Sequence, residues 1–191
     1  MRGSVFIGDT GTGKSVIMSD GLTSRIEEQS LVPFTVNFSA QTSAARTQDM
    51  LEIRFEKRRK GVLGAPINKK LVCFVDDVNM PAREEYGAQP PIELLRLCID
   101  SLEYYRSVGG IWDKKKIWND VVDTIFVAAC GPPGGGRNVV TPRFFRFFTM
   151  INLSPPSRSV LKVIFSAILD GHLAKFPNDI RALSNVRHFG F

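Results

Sequence analysis

Apolar residues along this chain gather into short blocks with little alternation, separated by longer stretches where they recur every three or four positions. Ser4 to Ile7, Phe34 to Phe38, Leu71 to Val75, Thr124 to Cys130 and Phe147 to Leu153 are rich in Val, Ile and Phe. They read as strands buried on both faces of a parallel sheet. Between them, Ser15 to Glu28, Ser43 to Arg59, Pro91 to Tyr105 and Ser157 to Lys175 read as helices. Pro91 suits a first turn, and Ile92, Leu95, Ile99 and Leu102 give that helix a core face. Strand alternating with helix predicts a doubly wound α/β sheet whose crossovers gather the ligand-binding loops at one edge.

Breaks in the pattern mark the joints. Val108 to Trp118 reads as a hairpin inserted before the fourth strand, with Trp112 and Trp118 facing each other across the ribbon. Gly131-Pro132-Pro133-Gly134-Gly135-Gly136 supports neither helix nor strand and is expected as an irregular loop. Ser154-Pro155-Pro156 reads as a linker, dividing an α/β body over residues 1–153 from a helical element over 154–191. No internal repeat is visible.

Composition narrows the class. At 191 residues, 43% hydrophobic and 23% charged, the chain can bury a real core. A net charge of +6 permits an anionic partner without choosing one. Part of it sits in Lys57-Arg58-Arg59-Lys60, expected as a solvated helix end. Without an RNA-recognition or helix-turn-helix signature, no direct nucleic-acid partner is expected. Three cysteines without close spacing argue against disulfides and zinc, and are expected as reduced core thiols in a cytosolic setting. His172 and His188 lie in no metal-binding pattern. No stretch reads as a signal peptide or a membrane span, so a soluble intracellular chain with no membrane partner is expected.

Candidate chemistry begins at Gly8-Asp9-Thr10-Gly11-Thr12-Gly13-Lys14-Ser15, a complete phosphate loop between a strand and a helix. The glycines let successive N–H groups turn toward phosphate oxygens at a helix N-terminus. Lys14 is placed to reach the β/γ-phosphates, and the Ser15 hydroxyl to ligate Mg²⁺. Leu71 to Asp77 ends in paired carboxylates, the pattern of a metal-holding strand next to such a loop. Asp76 is the candidate Mg²⁺ partner and Asp77 the candidate water-polarising acid. Glu is the usual acid at the second position. Asp is one methylene shorter, and a misplacement of about one ångström can cost of order a hundredfold in rate. Nucleotide binding is therefore expected ahead of fast hydrolysis.

Four further blocks accompany the phosphate loop: Asn37-Phe38-Ser39-Ala40-Gln41-Thr42, Val75 to Arg83, Tyr86-Gly87-Ala88-Gln89-Pro90-Pro91, and Gly131 to Asn138. Together, over about Val5 to Phe176, the chain resembles the third AAA+ module of an axonemal-type dynein heavy chain. The resemblance implies a P-loop AAA+ large subdomain, a parallel five-stranded sheet with helices on both faces, followed by the start of a helical lid. It implies ATP and Mg²⁺ as cofactors, a regulatory site, and work as one of six modules in a ring. Neighbouring modules of the same heavy chain are the implied partners. Intermediate and light chains and microtubules would be engaged through regions outside this sequence. The implied setting is a minus-end-directed motor of the cytoskeleton, in the ciliary axoneme. An arginine finger acting on the neighbouring module is implied at Arg143, with Arg146 in the same segment as the second choice.

Two departures stand out. Where such modules often carry a polar sensor at the end of the fourth strand, this chain has Cys130-Gly131, with Asn138 only after the glycine-rich loop. The lid and the region before the first strand are also short, which leaves open a structural or interaction fragment without productive turnover. A GTPase is disfavoured, because Asn68-Lys69-Lys70-Leu71 lacks the guanine-reading acid and precedes the metal-binding strand.

Overall fold

In the computed structural model, residues 3–24, 30–100 and 109–176 are described. The apolar blocks form β1 (Gly3–Ile7), β2 (Leu31–Asn37), β5 (Lys70–Asp76), β8 (Thr124–Cys130) and β9 (Phe148–Asn152). They make one five-stranded sheet in the order β2-β5-β8-β1-β9, with every pairing parallel. The expected fold class is the one found.

Register decides what this sheet can present. Ile7 is level with Cys130 on one side and Asn152 on the other, and Asn37 is level with Asp76. The carboxyl ends of the strands therefore share one edge, where ligands of open α/β sheets bind.

Burial follows position in the sheet. Leu71 to Val75 on β5 are all buried, as a continuous apolar run between two neighbours requires. The outer strands depart from the both-faces expectation. On β2, buried Phe34 and Val36 alternate with exposed Thr35 and Asn37, and Pro33 is tolerated at this edge. On β9 only Phe148 is buried, because an outermost strand has a neighbour on one side only.

The helices are α1 (Lys14–Thr23), α2 (Ala44–Glu52), α3 (Pro90–Ile99), the short α4 (Pro142–Phe145) and α5 (Arg158–Leu173). Of the span expected to reach Glu28, residues 25–28 lie outside the described residues. So do residues 101–105 of the span expected to reach Tyr105. In α3, Ile92 and Leu95 are buried and Ile99 is partly so; Cys98 joins that face. Ser43 and Ser157 cap α2 and α5, each accepting from a backbone N–H three residues on, Arg46 at 3.2 Å and Val160 at 3.4 Å.

The expected helix Ser43 to Arg59 is corrected. It stops at Glu52, and Glu56–Arg59 forms β3, paired antiparallel with β4 (Val62–Gly64). Arg59 faces Val62, leaving Lys60-Gly61 as a two-residue turn in which Gly61 takes φ +76°. Good helix formers in Glu-Lys-Arg-Arg-Lys are overridden by strand pairing. The basic cluster is thus not a helix end, and Arg58 pairs with Asp123 at 2.8 Å.

β6 (Gly110–Trp112) and β7 (Trp118–Val122) are the expected hairpin, extended to Val122; Val108 lies outside the described residues. Trp112 faces Trp118, their rings edge-on with centroids 5.3 Å apart. Asp113 Oδ1 accepts from the N–H groups of Lys115 and Ile117, both at 2.8 Å, closing the loop. β4 pairs parallel with β7, so the two hairpins build a second sheet, β3-β4-β7-β6.

Met1–Ser154 and Pro155–Phe191 are separate compact units. Cys73, Cys98 and Cys130 are buried free thiols, as expected. Among the described residues no helix is long and apolar enough to cross a membrane, and no cluster of His, Cys, Asp and Glu could hold a metal by itself.

Candidate nucleotide site

The loop from Gly8 to Ser15 leaves β1 and enters α1. Gly8 donates its N–H to the Cys130 carbonyl at 3.2 Å, anchoring the loop to β8. A Cβ on Gly8 would stand 2.5 Å from the Leu153 carbonyl oxygen, so this position needs glycine. Gly11 and Gly13 take φ of +85° and +83°, which curl the backbone back over the start of α1.

Lys14 is buried, and its ammonium spans the loop. It donates to the carbonyls of Gly8 at 2.8 Å and Asp9 at 2.7 Å, and to Thr12 Oγ1 at 3.3 Å. Thr12 Oγ1 in turn donates to the Asp9 carbonyl at 2.9 Å. Thr10 lies exposed in the turn between them. The lysine thereby holds the loop's shape and keeps a positive charge beneath it.

α1 begins with no side-chain cap and no acidic residue in its first turn. Its leading N–H groups and positive dipole end are left for an anion. Ser15 is exposed in that same turn. These features fit a polyphosphate, with Ser15 and Asp76 as the oxygen donors a magnesium ion takes.

Asp76 ends β5, and β8 alone separates β5 from β1. Its Oδ1 accepts from the N–H of Asp77 at 3.0 Å. Asp77 takes φ +50°, a left-handed conformation Asp tolerates, and its carbonyl accepts from Met80 N–H at 2.9 Å.

The turn beyond them is clamped to the end of β8. Buried Asn79 donates from Nδ2 to the Gly131 carbonyl at 2.8 Å, and its own carbonyl accepts from Asn138 N–H at 2.9 Å. Gln89 Nε2 and Asn138 Nδ2 both donate to the Pro81 carbonyl at 2.9 Å. Asn138, the polar residue nearest in sequence to the expected sensor, is thus spent on the turn.

The side chain that lies over Gly131 is Arg137. A Cβ at Gly131 would be 2.6 Å from Arg137 Nε. Its Nη2 approaches Asp77 Oδ1 at 3.7 Å, outside hydrogen-bond range, and Nε is buried without a partner. Cys130 lies among these charges. Burial pushes its thiol up to about 11, with Lys14 lowering it, Asp77 raising it and Arg137 lowering it. Sequence reasoning assigned Arg137 no role; an arginine closing a glycine-rich loop beside a side-chain-free strand end was the available signal.

Arg143 is not brought to this site. It sits exposed on α4, which leads into Phe148, level with Gly3 at the far end of β1 from the phosphate loop. Arg146 is committed, pairing with buried Asp100 at 2.8 Å and lying 4.6 Å over the Phe147 ring. Phe144 and Phe148 are buried against each other, as core packing rather than a base-stacking platform.

Comparison with known proteins places this geometry in context. Residues 2–156 match the family described as the P-loop containing dynein motor region. The chain is 51% identical over 179 residues to dynein axonemal heavy chain 6 of Homo sapiens, covering 93% of this chain and 4% of that one. It is 48% identical over 169 residues to dynein axonemal heavy chain 12 of Mus musculus, covering 88% and 5%. It is 49% identical over 173 residues to dynein axonemal heavy chain 3 of Homo sapiens, covering 90% and 4%. The chain thus spans a small part of the length of the curated relatives it matches.

Proposed function

This chain belongs to the family of P-loop containing dynein motor regions, and we propose that it is a nucleotide-holding AAA+ module, the third, of an axonemal-type heavy chain. The reading is carried by one observation. A lysine-braced glycine loop opens onto an uncapped helix at the sheet edge that also ends in Asp76 and Asp77.

The ligand is ATP with Mg²⁺. Gly8, Asp9, Thr10, Gly11, Thr12 and Gly13 form the cradle, and the first-turn N–H groups of α1 orient the phosphates. Lys14 places a charge at the β/γ-phosphates, which requires it to exchange part of its hold on Gly8 and Asp9. Magnesium, held by Ser15 and Asp76, supplies neutralisation of phosphate charge. Asp77 polarises water slowly, since it is short, left-handed and drawn toward Arg137. The site is regulatory, and Arg143 serves the nucleotide of a neighbouring module. The first compact unit is the nucleotide-binding subdomain and the second the start of a lid. Within a whole heavy chain this module is part of a minus-end-directed microtubule motor of the ciliary axoneme. Its direct partners are the adjacent modules, with intermediate and light chains bound elsewhere.

Thermal unfolding with and without Mg-ATP tests this. A ligand at a hundred times its dissociation constant stabilises by about 2.7 kcal/mol. Lys14→Ala should abolish that shift. No shift at millimolar ATP overturns the reading in favour of an interaction fragment that holds no nucleotide.

A further inference from the structure

β8 ends between the two halves of the site, with β5 and its acids on one side and β1 and the phosphate loop on the other. Its last residue, Cys130, and Gly131 just beyond it offer no polar side chain for a terminal phosphate beyond a buried thiol. The space above Gly131 is nonetheless filled. Arg137 Nε and Cδ lie 2.6 and 2.7 Å from where a Gly131 Cβ would stand.

The glycine-rich loop makes this possible. Gly134, Gly135 and Gly136 all take positive φ, and Gly134 and Arg137 exchange backbone hydrogen bonds of 3.1 and 3.0 Å. That tight reversal folds Arg137 back over the strand end. Asn138 then fixes the exit of the loop through Asn79 and Pro81. The arginine is placed by backbone on both sides.

Its guanidinium is poorly spent. The Asp77 contact at 3.7 Å is a loose ion pair, and the buried Nε donates to nothing. Lys14, the other cation of the site, has its ammonium engaged by Gly8, Asp9 and Thr12. Arginine's planar fork matches phosphate oxygens bidentately, and charge-assisted bonds of that kind outweigh a loose pair with one carboxylate.

We infer that Arg137 is the residue that reads the terminal phosphate of a bound nucleoside triphosphate, and that in doing so it gives up Asp77. A triphosphate takes the guanidinium and leaves the Asp77 carboxylate free to face water. A diphosphate leaves the pair intact. Arg137 is thus both a binding residue that separates triphosphate from diphosphate and a restraint on the water-polarising acid. This deepens the proposed nucleotide site and rests on it.

The test compares a fluorescent non-hydrolysable ATP analogue with the matching ADP analogue, each with Mg²⁺, on the full chain. Arg137→Ala should weaken the triphosphate by about ten- to a hundredfold, the range of a lost charge-assisted bond, while the diphosphate stays within about twofold. Arg137→Lys, which keeps charge but not the fork, should recover part of the loss. Gly131→Ala is the second variant. It leaves Arg137 present but pushes aside its flexible stem, so it should reproduce the selective loss without removing a charge. Equal weakening of both nucleotides in Arg137→Ala and Gly131→Ala would reduce Arg137 to a structural support and overturn the inference. So would an unchanged ratio of the two affinities. Wild-type binding of neither nucleotide is the distinct outcome that removes the proposed function, and this inference with it.

Discussion

The backbone N–H of Asp77 donates to the Asp76 carboxylate at 3.0 Å, so the first acid of the pair fixes the turn that aims the second. Asp76 is an acceptor for its own chain at the end of β5, and in the proposed site it has a second duty as a donor oxygen for a metal. The two duties separate by substitution. Asp76→Ala removes both and should cost about 1 kcal/mol in urea unfolding without nucleotide, the worth of one hydrogen bond. Asp76→Asn keeps an acceptor oxygen and should unfold close to wild type. Both should weaken nucleotide binding in Mg²⁺ far more than in its absence. Equal stability loss in the two variants would remove the turn-fixing duty.

Much of this architecture was legible in the chain, for a physical reason. A strand buried by two neighbours must be apolar throughout, so Leu71 to Val75 and Thr124 to Cys130 announce themselves. The glycine loop is equally visible because φ of +85° and +83° at Gly11 and Gly13 leaves little choice of residue. The second sheet was half hidden. Glu56 to Arg59 carries good helix formers, and its strand state comes from pairing with Val62 to Gly64 and the turn at Gly61. Pairing across that turn, rather than the propensity of so polar a segment, decides its state. Arg137 was hidden differently. Sequence shows that Gly131 has no side chain, but only the fold shows which residue returns to fill its space.

The two arginines of the segment before β9 differ in what holds them: Arg146 is paired with Asp100, and Arg143, the proposed finger, is exposed. Arg146 neutralises Asp100, whose side chain is only 8% exposed and which Arg96 reaches less closely, at 3.4 Å against 2.8 Å. Arg146 is itself 58% exposed, so water discounts the pair. Arg146→Ala should cost about 1 kcal/mol in chemical unfolding, the retained Arg96 limiting the loss. Arg143 is exposed and forms no ion pair among the described residues. Arg143→Ala should leave unfolding within about 0.5 kcal/mol of wild type. In an assembled ring it should slow turnover at the adjoining module. A large stability loss from Arg143→Ala would assign it a structural role instead.

Burial of the thiols gives the fold an alkaline weakness. Burial holds the proton of Cys98 up to about 12, against an ordinary 9.0, and pushes Cys73 up as well, with Cys98 nearby adding to the shift. Below pH 9.0 both folded and unfolded chains keep that proton, and the Cys98 thiol contributes no pH dependence. Between 9.0 and about 12 the unfolded chain releases it while the folded chain cannot, so stability falls as pH rises. One thiol fully titrated in one state alone contributes a slope of about 1.4 kcal/mol per pH unit. Cys98→Ala should lower stability at neutral pH through the cavity it leaves, yet flatten the decline. Urea unfolding at about pH 8 and about pH 10.5, inside the window, separates the two effects. The variant's loss between those values should be smaller than the wild type's by roughly the contribution of one thiol. An identical decline in both proteins would mean that Cys98 is ionised elsewhere in the range, or that other groups carry the whole alkaline loss, and either result defeats the prediction.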